Sequence, residues 1–318
     1  MNETKVLAGI VLYNSDYDRL IECLHALDSQ VESTILYDNS PQKMDKKKQE
    51  YLVNTFKCQY IFSGENLGMP EAMNKILEIG EAEGYEWVLT MNADSITPPD
   101  LIEKFRPYFR KKEIGMICPQ VVDRRRKYMK VNKEAKNKCI RMCITSGACT
   151  RIEAWKQVGK FDGWLFVDLL DNDISKRMIL NKWKIYQVSS VVLDQEFGDI
   201  KAKAEWKEKF WLKVGKFLKN DNFAKFSYKK IVHANRVYYT CRNIIYLNKK
   251  YEKYGGIGYE ENYNCHTFIG FIICFVVPSI LRANNKIAVI KAVKKGFAEG
   301  KIKARETIPW NKTPMEYR

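Results

Sequence analysis

The sequence predicts an α/β fold, a mainly parallel sheet with helices on both faces, followed by a basic helical region. Three observations predict it. Within about the first 110 residues, four short apolar runs each end in a polar turn and lead into helical periodicity, the pattern of a doubly wound sheet. The chain has 318 residues and is 46% apolar, enough for one large core or two smaller ones. Charge is divided unevenly: residues 201–318 hold 25 Lys and Arg against 9 Asp and Glu, while residues 1–200 hold 29 of each. The net charge of +16 therefore belongs to the C-terminal third. Two parts follow, 1–200 and 201–318, the second suited to a polyanionic partner. The neutral first part argues against a nucleic-acid protein. Nine cysteines without a paired framework read as reduced thiols. Met1–Lys5 runs straight into a strand and leaves no room for a signal peptide, so a cytoplasmic location is expected.

Taken in order, Val6 to Tyr13 is a continuous apolar strand ended by Asn14-Ser15-Asp16. Ser15 or Asp16 can cap a helix with Leu20, Ile21, Leu24 and Leu27 at helical spacing. Ile35 to Tyr37 is a second strand, closed by Asp38-Asn39-Ser40-Pro41, and Tyr60 to Phe62 is a third. Asn66-Leu67-Gly68 turns into a helix from about Pro70, whose apolar face is Ala72, Met73, Ile76 and Leu77. The fourth strand, Trp87 to Met91, ends in Asn92-Ala93-Asp94-Ser95; Pro98 and Pro99 block its continuation, and a helix follows to Phe109.

An acid at the carboxyl end of a central strand lies where open α/β sheets bind ligands. A carboxylate there suits Mg²⁺ or Mn²⁺ holding a diphosphate, because hard cations take oxygen ligands. The first strand lacks the Gly-x-Gly-x-x-Gly of dinucleotide-binding folds, and no Walker-type Gly-Lys-Ser/Thr occurs. Past Ile114 the pattern is strand-like and irregular, with a basic Arg124–Lys127 turn read as a solvated loop or, alternatively, as a diphosphate contact. A helix is expected over Glu153–Val158. The densest acidic cluster, Asp168, Asp171 and Asp173 beside Trp164 and Phe166, suggests a sugar site. One helical turn would place Asp168 and Asp171 on the same face.

Over roughly positions 6 to 252 these motifs resemble, in order, the family 2 glycosyltransferases, inverting enzymes of the GT-A fold, and especially their rhamnosyltransferase-like branch. Tyr13-Asn14 looks like the end of the opening strand, and Asp38-Asn39-Ser40 is similar to a segment whose acid contacts the nucleotide. Asn66, Gly68, Ala72 and Asn74 match an Asn-x-Gly-x-x-x-Ala-x-Asn turn and helix. Asn92-Ala93-Asp94 stands where the metal-binding Asp-x-Asp lies. Ser146-Gly147 and Gly159–Asp162 fit the acceptor side, and Phe166 to Asp173 resembles the catalytic motif. Arg236, Tyr238-Tyr239 and Arg242-Asn243 match the Tyr-Tyr-x-x-Arg-Asn of the rhamnosyltransferase branch. Two departures stand out: Asn92 replaces the first acid, and Gln195 stands where the late segment is expected to offer a metal-binding histidine.

The resemblance implies sugar transfer with inversion from a nucleotide-diphosphate sugar, dTDP- or UDP-linked, to a glycan or lipid-diphosphate-linked acceptor in polysaccharide synthesis. Asp171 would be the general base, with Asp168 the alternative. Tyr13, Asn14, Asp38, Asn66, Gly68, Asn74, Asn92 and Asp94 would bind donor. Gly147, Trp164, Arg236, Tyr239, Arg242 and Asn243 would bind acceptor. Asp94, and Gln195 with less support, would hold Mg²⁺ or Mn²⁺. Rhamnose is favoured; galactofuranose or a hexose would need few changes. A nucleotidyltransferase shares the sheet and acids but opens with a Gly-rich basic loop missing here. A relative without activity is hinted at only by Gln195. Finally, His266–Leu281 is apolar, too short to span a bilayer, and followed by Lys286, Lys291, Lys294, Lys295, Lys301, Lys303 and Arg305. A buried core helix is the alternative to a peripheral contact with the anionic inner face of the membrane.

Overall fold

The computed structural model describes residues 4–219, 221–257, 263 and 265–311. The chain forms two compact units. The first comprises Met1–Gln120, Asn132–Leu193 and Pro309–Arg318, and the second Val121–Val131 and Asp194–Ile308. The segment holding the basic turn, Val121–Val131, belongs to the second unit.

In the first unit, β1 (Val6–Leu12), β2 (Ser33–Asp38), β3 (Cys58–Phe62) and β4 (Trp87–Asn92) alternate with α1 (Tyr17–Leu27), α2 (Lys46–Thr55) and α3 (Met69–Ala82). Then come α4 (Leu101–Phe109), β5 (Ile114–Val122), β6 (Lys138–Ile140), β7 (Ala148–Arg151), α5 (Ile152–Gln157), α6 (Leu170–Leu180) and β8 (Lys184–Asp194). The sheet order is β3-β2-β1-β4-β7-β5-β8-β6. The first four strands are parallel, with Leu12 opposite Asp38 and Val11 opposite Asn92. Their carboxyl ends therefore share one edge. The sequence did not reveal that β7 inserts antiparallel between β4 and β5.

Two glycines explain how α3 lies so close on the sheet. A Cβ on Gly9 would come within 2.2 Å of Ile76 Cγ2, and one on Gly80 within 2.9 Å of Val88 Cγ2. Helix α1 buries Leu20, Leu24 and Leu27 as expected, but Cys23 takes the inward place expected for Ile21. Arg151, 5% exposed, is held under the sheet by the carbonyls of Phe109, Lys111 and Ile114, and stacks on Trp87 at 4.5 Å.

The second unit holds β9 (Ile200–Ala202), α7 (Glu205–Phe217), α8 (Asp221–Ala224), β10 (Tyr228–Lys230) and α9 (Ala234–Lys250). It continues with α10 (Phe268–Phe271), a π-helical turn over Ile272–Val276, α11 (Val277–Arg282) and α12 (Lys286–Glu306). Pro278 is accommodated near the start of α11, just after the π turn. A wide turn there suits a residue that has no N–H to donate. Helices α9 and α12 pack backbone to backbone: a Cβ on Gly296 would meet the Tyr238 carbonyl at 2.5 Å, and one on Gly300 the Arg242 carbonyl at 2.5 Å.

The basic turn is solvated only in part: Arg124 and Lys127 are exposed, while Arg125 and Arg126 turn inward. Asp123, 1% exposed, accepts hydrogen bonds from Arg125 Nε (2.9 Å), Arg126 Nε (3.0 Å) and the Phe197 N–H (3.0 Å). Arg125 also pairs with Glu196, and Arg124 with Asp194. Burial pushes the Asp123 carboxyl up, but the Arg125 and Phe197 hydrogen bonds and both arginine charges outweigh it and hold it below its usual range. Arg125 and Arg126 therefore have a structural role in this turn, closing on a buried acid.

Candidate active site

At the carboxyl edge of β1, β2 and β4 lie Tyr13, Asn14, Asp38, Asn92 and Asp94, five of the residues expected to bind donor. Tyr13 leaves β1 with its side chain 52% exposed, a free aromatic face at the strand end. Asn14 adopts φ 47° and donates its N–H to Ser40 Oγ at 2.8 Å. The Asn39 N–H reaches the Leu12 carbonyl at 2.9 Å, so the two strand ends are tied. Asp38 is 2% exposed and accepts hydrogen bonds from the Ser40 N–H (2.9 Å) and the Tyr60 hydroxyl. Burial, then the bond to Asp38, pushes the Tyr60 hydroxyl far above its ordinary range, so it stays a donor. Asp38 is therefore first a loop anchor, and any ligand must use its remaining lone pairs.

At the end of β4 the chain turns sharply, the Ser95 N–H reaching the Asn92 carbonyl at 3.1 Å. Asn92 is partly buried and Asp94 is exposed at the tip. Ser146 Oγ accepts from the Asn92 N–H (3.1 Å) and meets Ser95 Oγ at 3.1 Å. Arg19 of α1 donates from Nε to the Asp94 carbonyl at 3.3 Å. Arg19 was not legible as part of the site; its only signal is its place three residues after the cap Asp16. Gly147, buried with φ 77°, donates to the Thr90 carbonyl at 2.8 Å, and a Cβ there would strike Leu193 Cδ2 at 2.7 Å. It makes the turn that brings Thr145 and Ser146 to this edge.

The Asn66–Gly68 turn connects the two halves of the edge. Asn66 Oδ1 accepts from the Gly68 N–H at 3.0 Å, and Asn39 Nδ2 donates to the Gly68 carbonyl at 3.0 Å. Gly68 has φ 81°, and a Cβ would lie 2.8 Å from the Phe166 carbonyl oxygen. The Met69 N–H donates to that same carbonyl at 2.7 Å. Asn74, 5% exposed, has its amide engaged by Trp155 Nε1 (3.1 Å), the Phe161 N–H (2.8 Å) and the Phe161 carbonyl (3.0 Å). It braces the 155–161 turn from within the core.

The acidic cluster separates into three roles. Phe166, Asp168 and Leu169 each have a positive φ between 61° and 65°, with Leu169 in the left-handed helical region, and such backbone costs on the order of 1–3 kcal/mol per non-glycine residue. Asp168 therefore precedes α6 and does not share its first turn with Asp171, contrary to the helical spacing expected. Asp171 sits in that first turn, where the helix dipole favours a carboxylate. Its Oδ1 accepts from the Thr145 N–H (2.9 Å) and Thr145 Oγ1 (2.7 Å). Asp173, fully buried, pairs with Arg177, which also holds the Val158 carbonyl at 2.6 Å. Trp164 lies in a 3₁₀ turn, partly exposed, its N–H bonded to Asp162.

In the second unit Gln195 is 5% exposed, and its Oε1 has no hydrogen-bond partner. A buried carbonyl oxygen with spare lone pairs is a donor that a hard cation accepts. Among the described residues no three His, Cys, Asp or Glu side chains cluster as a metal site. On α9, Arg236 is exposed, while Arg242 lies over Tyr239 at 4.8 Å and donates to Asn243 Oδ1 at 3.0 Å. Asn243 is completely buried. Its side-chain oxygen holds the Arg242 guanidinium.

Residues 8–155 match the family model described as glycosyl transferase family 2. No curated protein matches the chain. Among solved structures it is similar to GalNAc-T7 crystallised with UDP, GalNAc and Mn²⁺, with TM-score 0.52 and 12% identity over 62% of this chain and 44% of that one. The chain thus spans under half the length of that protein. Other similarities are to S. aureus TarS 1–349, TM-score 0.48 and 12% identity over 95% and 91% of the two chains. Mannosyltransferase PcManGT from Pyrobaculum calidifontis, in complex with GDP-Man and Mn²⁺, gives TM-score 0.49 and 11% identity over 96% and 77%. At such identity the likeness to GalNAc-T7 carries the fold alone, a GT-A-like sheet with helices on its faces.

Proposed function

We propose that this chain, whose residues 8–155 carry the family 2 glycosyl transferase pattern, transfers a sugar from a nucleotide-diphosphate donor to a glycan hydroxyl with inversion. The observation that carries the reading is the placing of Asp171. Its carboxylate stands at a helix N-terminus, gripped through one oxygen by Thr145, whose neighbour Ser146 also holds the Asp94 turn. One oriented carboxylate suffices for a single displacement: it takes the acceptor proton as the hydroxyl oxygen attacks the anomeric carbon and the diphosphate leaves. The strained 166–169 loop sets the entry to α6, and Asp168 lies beside it.

Tyr13 and the Asp38 loop would receive the nucleotide, the tyrosine by stacking. Asp94 would hold Mg²⁺ or Mn²⁺, which when bound neutralises the leaving diphosphate. Gln195 Oε1, buried in the second unit without a hydrogen-bond partner, is an oxygen donor at the position where the resemblance expects a histidine. Arg236 and Tyr239 would contact the acceptor. A rhamnosyl donor, dTDP- or UDP-linked, and a lipid-diphosphate acceptor at the inner membrane face complete the reading. A screen of nucleotide sugars by release of nucleoside diphosphate, with and without EDTA, tests it. Turnover of one donor that stops with chelation supports it; no release from any donor with acceptor glycans overturns it.

A further inference from the structure

We propose that the exposed face of α7, with the uncharged row of the 268–282 helical run, forms a docking surface for an anionic lipid bilayer. This rests on reading the C-terminal region as a membrane contact, and not on the sugar-transfer chemistry. Helix α7 had no place in the sequence argument. Its Trp206, Phe210 and Phe217 recur at i, i+4 and i+11, so they line one face, and they are 68%, 54% and 86% exposed. Lys213 falls in the same line, and Lys209 and Lys216 flank it. Its two acids turn to other partners, Glu205 to Lys209 and Glu208 to Lys127. Exposed aromatics interleaved with lysines on one short helix are the chemistry of the headgroup layer, where rings enter the acyl boundary and ammonium groups meet lipid phosphates.

The second row is aliphatic. Ile269, Ile273, Val277 and Leu281 recur every four residues and are 71%, 62%, 43% and 67% exposed. From His266 to Leu281 there is no Lys, Arg, Asp or Glu. The two elements meet at one ring: Phe226 packs on Trp211 of α7 at 5.1 Å, and Arg282 lies over the same Phe226 at 5.4 Å. Positive charge gathers at this junction. Burial, then the charges of Arg282 and Lys207, lower the affinity of Lys203 for its proton. No helix of the described residues is long and apolar enough to cross a membrane, so the contact is interfacial.

Charge selects the occupant. A second copy docking symmetrically would set these lysines against themselves. A nucleic acid would find no cation along the sixteen uncharged residues, and aliphatic side chains give its bases little to stack on. An anionic bilayer answers both rows at once.

The full chain is tested by co-sedimentation with phosphatidylcholine vesicles, with and without phosphatidylglycerol. Two paired variants are used, Phe210→Glu with Phe217→Glu, and Ile269→Glu with Ile273→Glu. The native chain should bind only the anionic vesicles and leave them as salt rises. Each pair should weaken binding about tenfold or more, with unchanged melting by circular dichroism. If the α7 pair binds like the native chain, α7 is removed from the surface and the proposal fails, though the 268–282 reading survives. If the native chain stays in solution at low salt, both fail. Loss in the α7 pair of single-stranded RNA binding or of a native dimer, with vesicle binding kept, reassigns the face and overturns the proposal. Donor turnover in solution, expected to be unchanged in both pairs, separates these failures from failure of the sugar-transfer reading.

Discussion

Asp171 and Thr145 carry the sharpest consequences at the scale of single residues. In Asp171→Asn the amide keeps a hydrogen-bonding oxygen for Thr145 but cannot take a proton. Its kcat should fall on the order of 10²–10⁴-fold, while donor binding by calorimetry stays near the native value. If Asp171→Asn keeps more than about a tenth of turnover and Asp168→Asn is dead, the base is Asp168. Thr145→Val removes one of two donors to Asp171 Oδ1 and leaves the backbone N–H in place. A loss of roughly tenfold in kcat with little change in KM is expected, since a hydrogen bond to a charged group contributes about 1.5–3 kcal/mol. Thr145→Ser should restore most of it. A drop of equal size in Thr145→Ser would show that the methyl group, not the hydroxyl, matters. Asp173 looks equivalent to Asp171 in the sequence, and only packing separates them: it faces Arg177 in the core.

Two elements of the second unit are held by different physics. The Val121–Val131 segment joins the 194–198 strand end through the buried carboxylate of Asp123. Its pKa is depressed, so its contribution is complete above the ordinary aspartate range, near pH 4, and is lost as pH falls through the lower folded value. Acid melting of the native chain should therefore show a component absent in Asp123→Asn. That variant should be less stable at pH 7 by about 1–3 kcal/mol, because the amide keeps an accepting oxygen but loses the charge that both arginines pair with. Equal melting of variant and native chain at pH 7 would show that the arginines find other acceptors at no cost. The α9 and α12 pair depends on the missing Cβ atoms of Gly296 and Gly300. Gly296→Leu should lower stability by about 2 kcal/mol or more, since backbone carbonyls cannot move aside as a side chain can. The Gly-x-x-x-Gly spacing was present in the sequence as a signal for this close approach.

For the whole molecule, the requirement for a divalent cation is a further measurable consequence. Turnover should vanish with EDTA, return with Mn²⁺ or Mg²⁺, and be lost in Asp94→Ala. Full activity after exhaustive chelation would transfer the leaving-group role to cationic side chains. The sequence by itself determined the runs that became β1 to β4, their shared carboxyl edge, and the place of Tyr13, Asp38, Asp94 and Asp171 near strand or helix ends. It also determined where the charge lies. These follow from local periodicity and turn chemistry, which each segment carries with it. Tertiary structure alone decided that β7 slips antiparallel between β4 and β5, bringing Thr145 and Ser146 to the edge. It decided that Asn74 and Asn243 are core braces and that Arg125 and Arg126 close on Asp123. It also decided that Trp206, Phe210 and Phe217 of α7 stay uncovered. Strand pairing and the pairing of buried polar groups depend on partners far along the chain, and a residue's own neighbours do not name them.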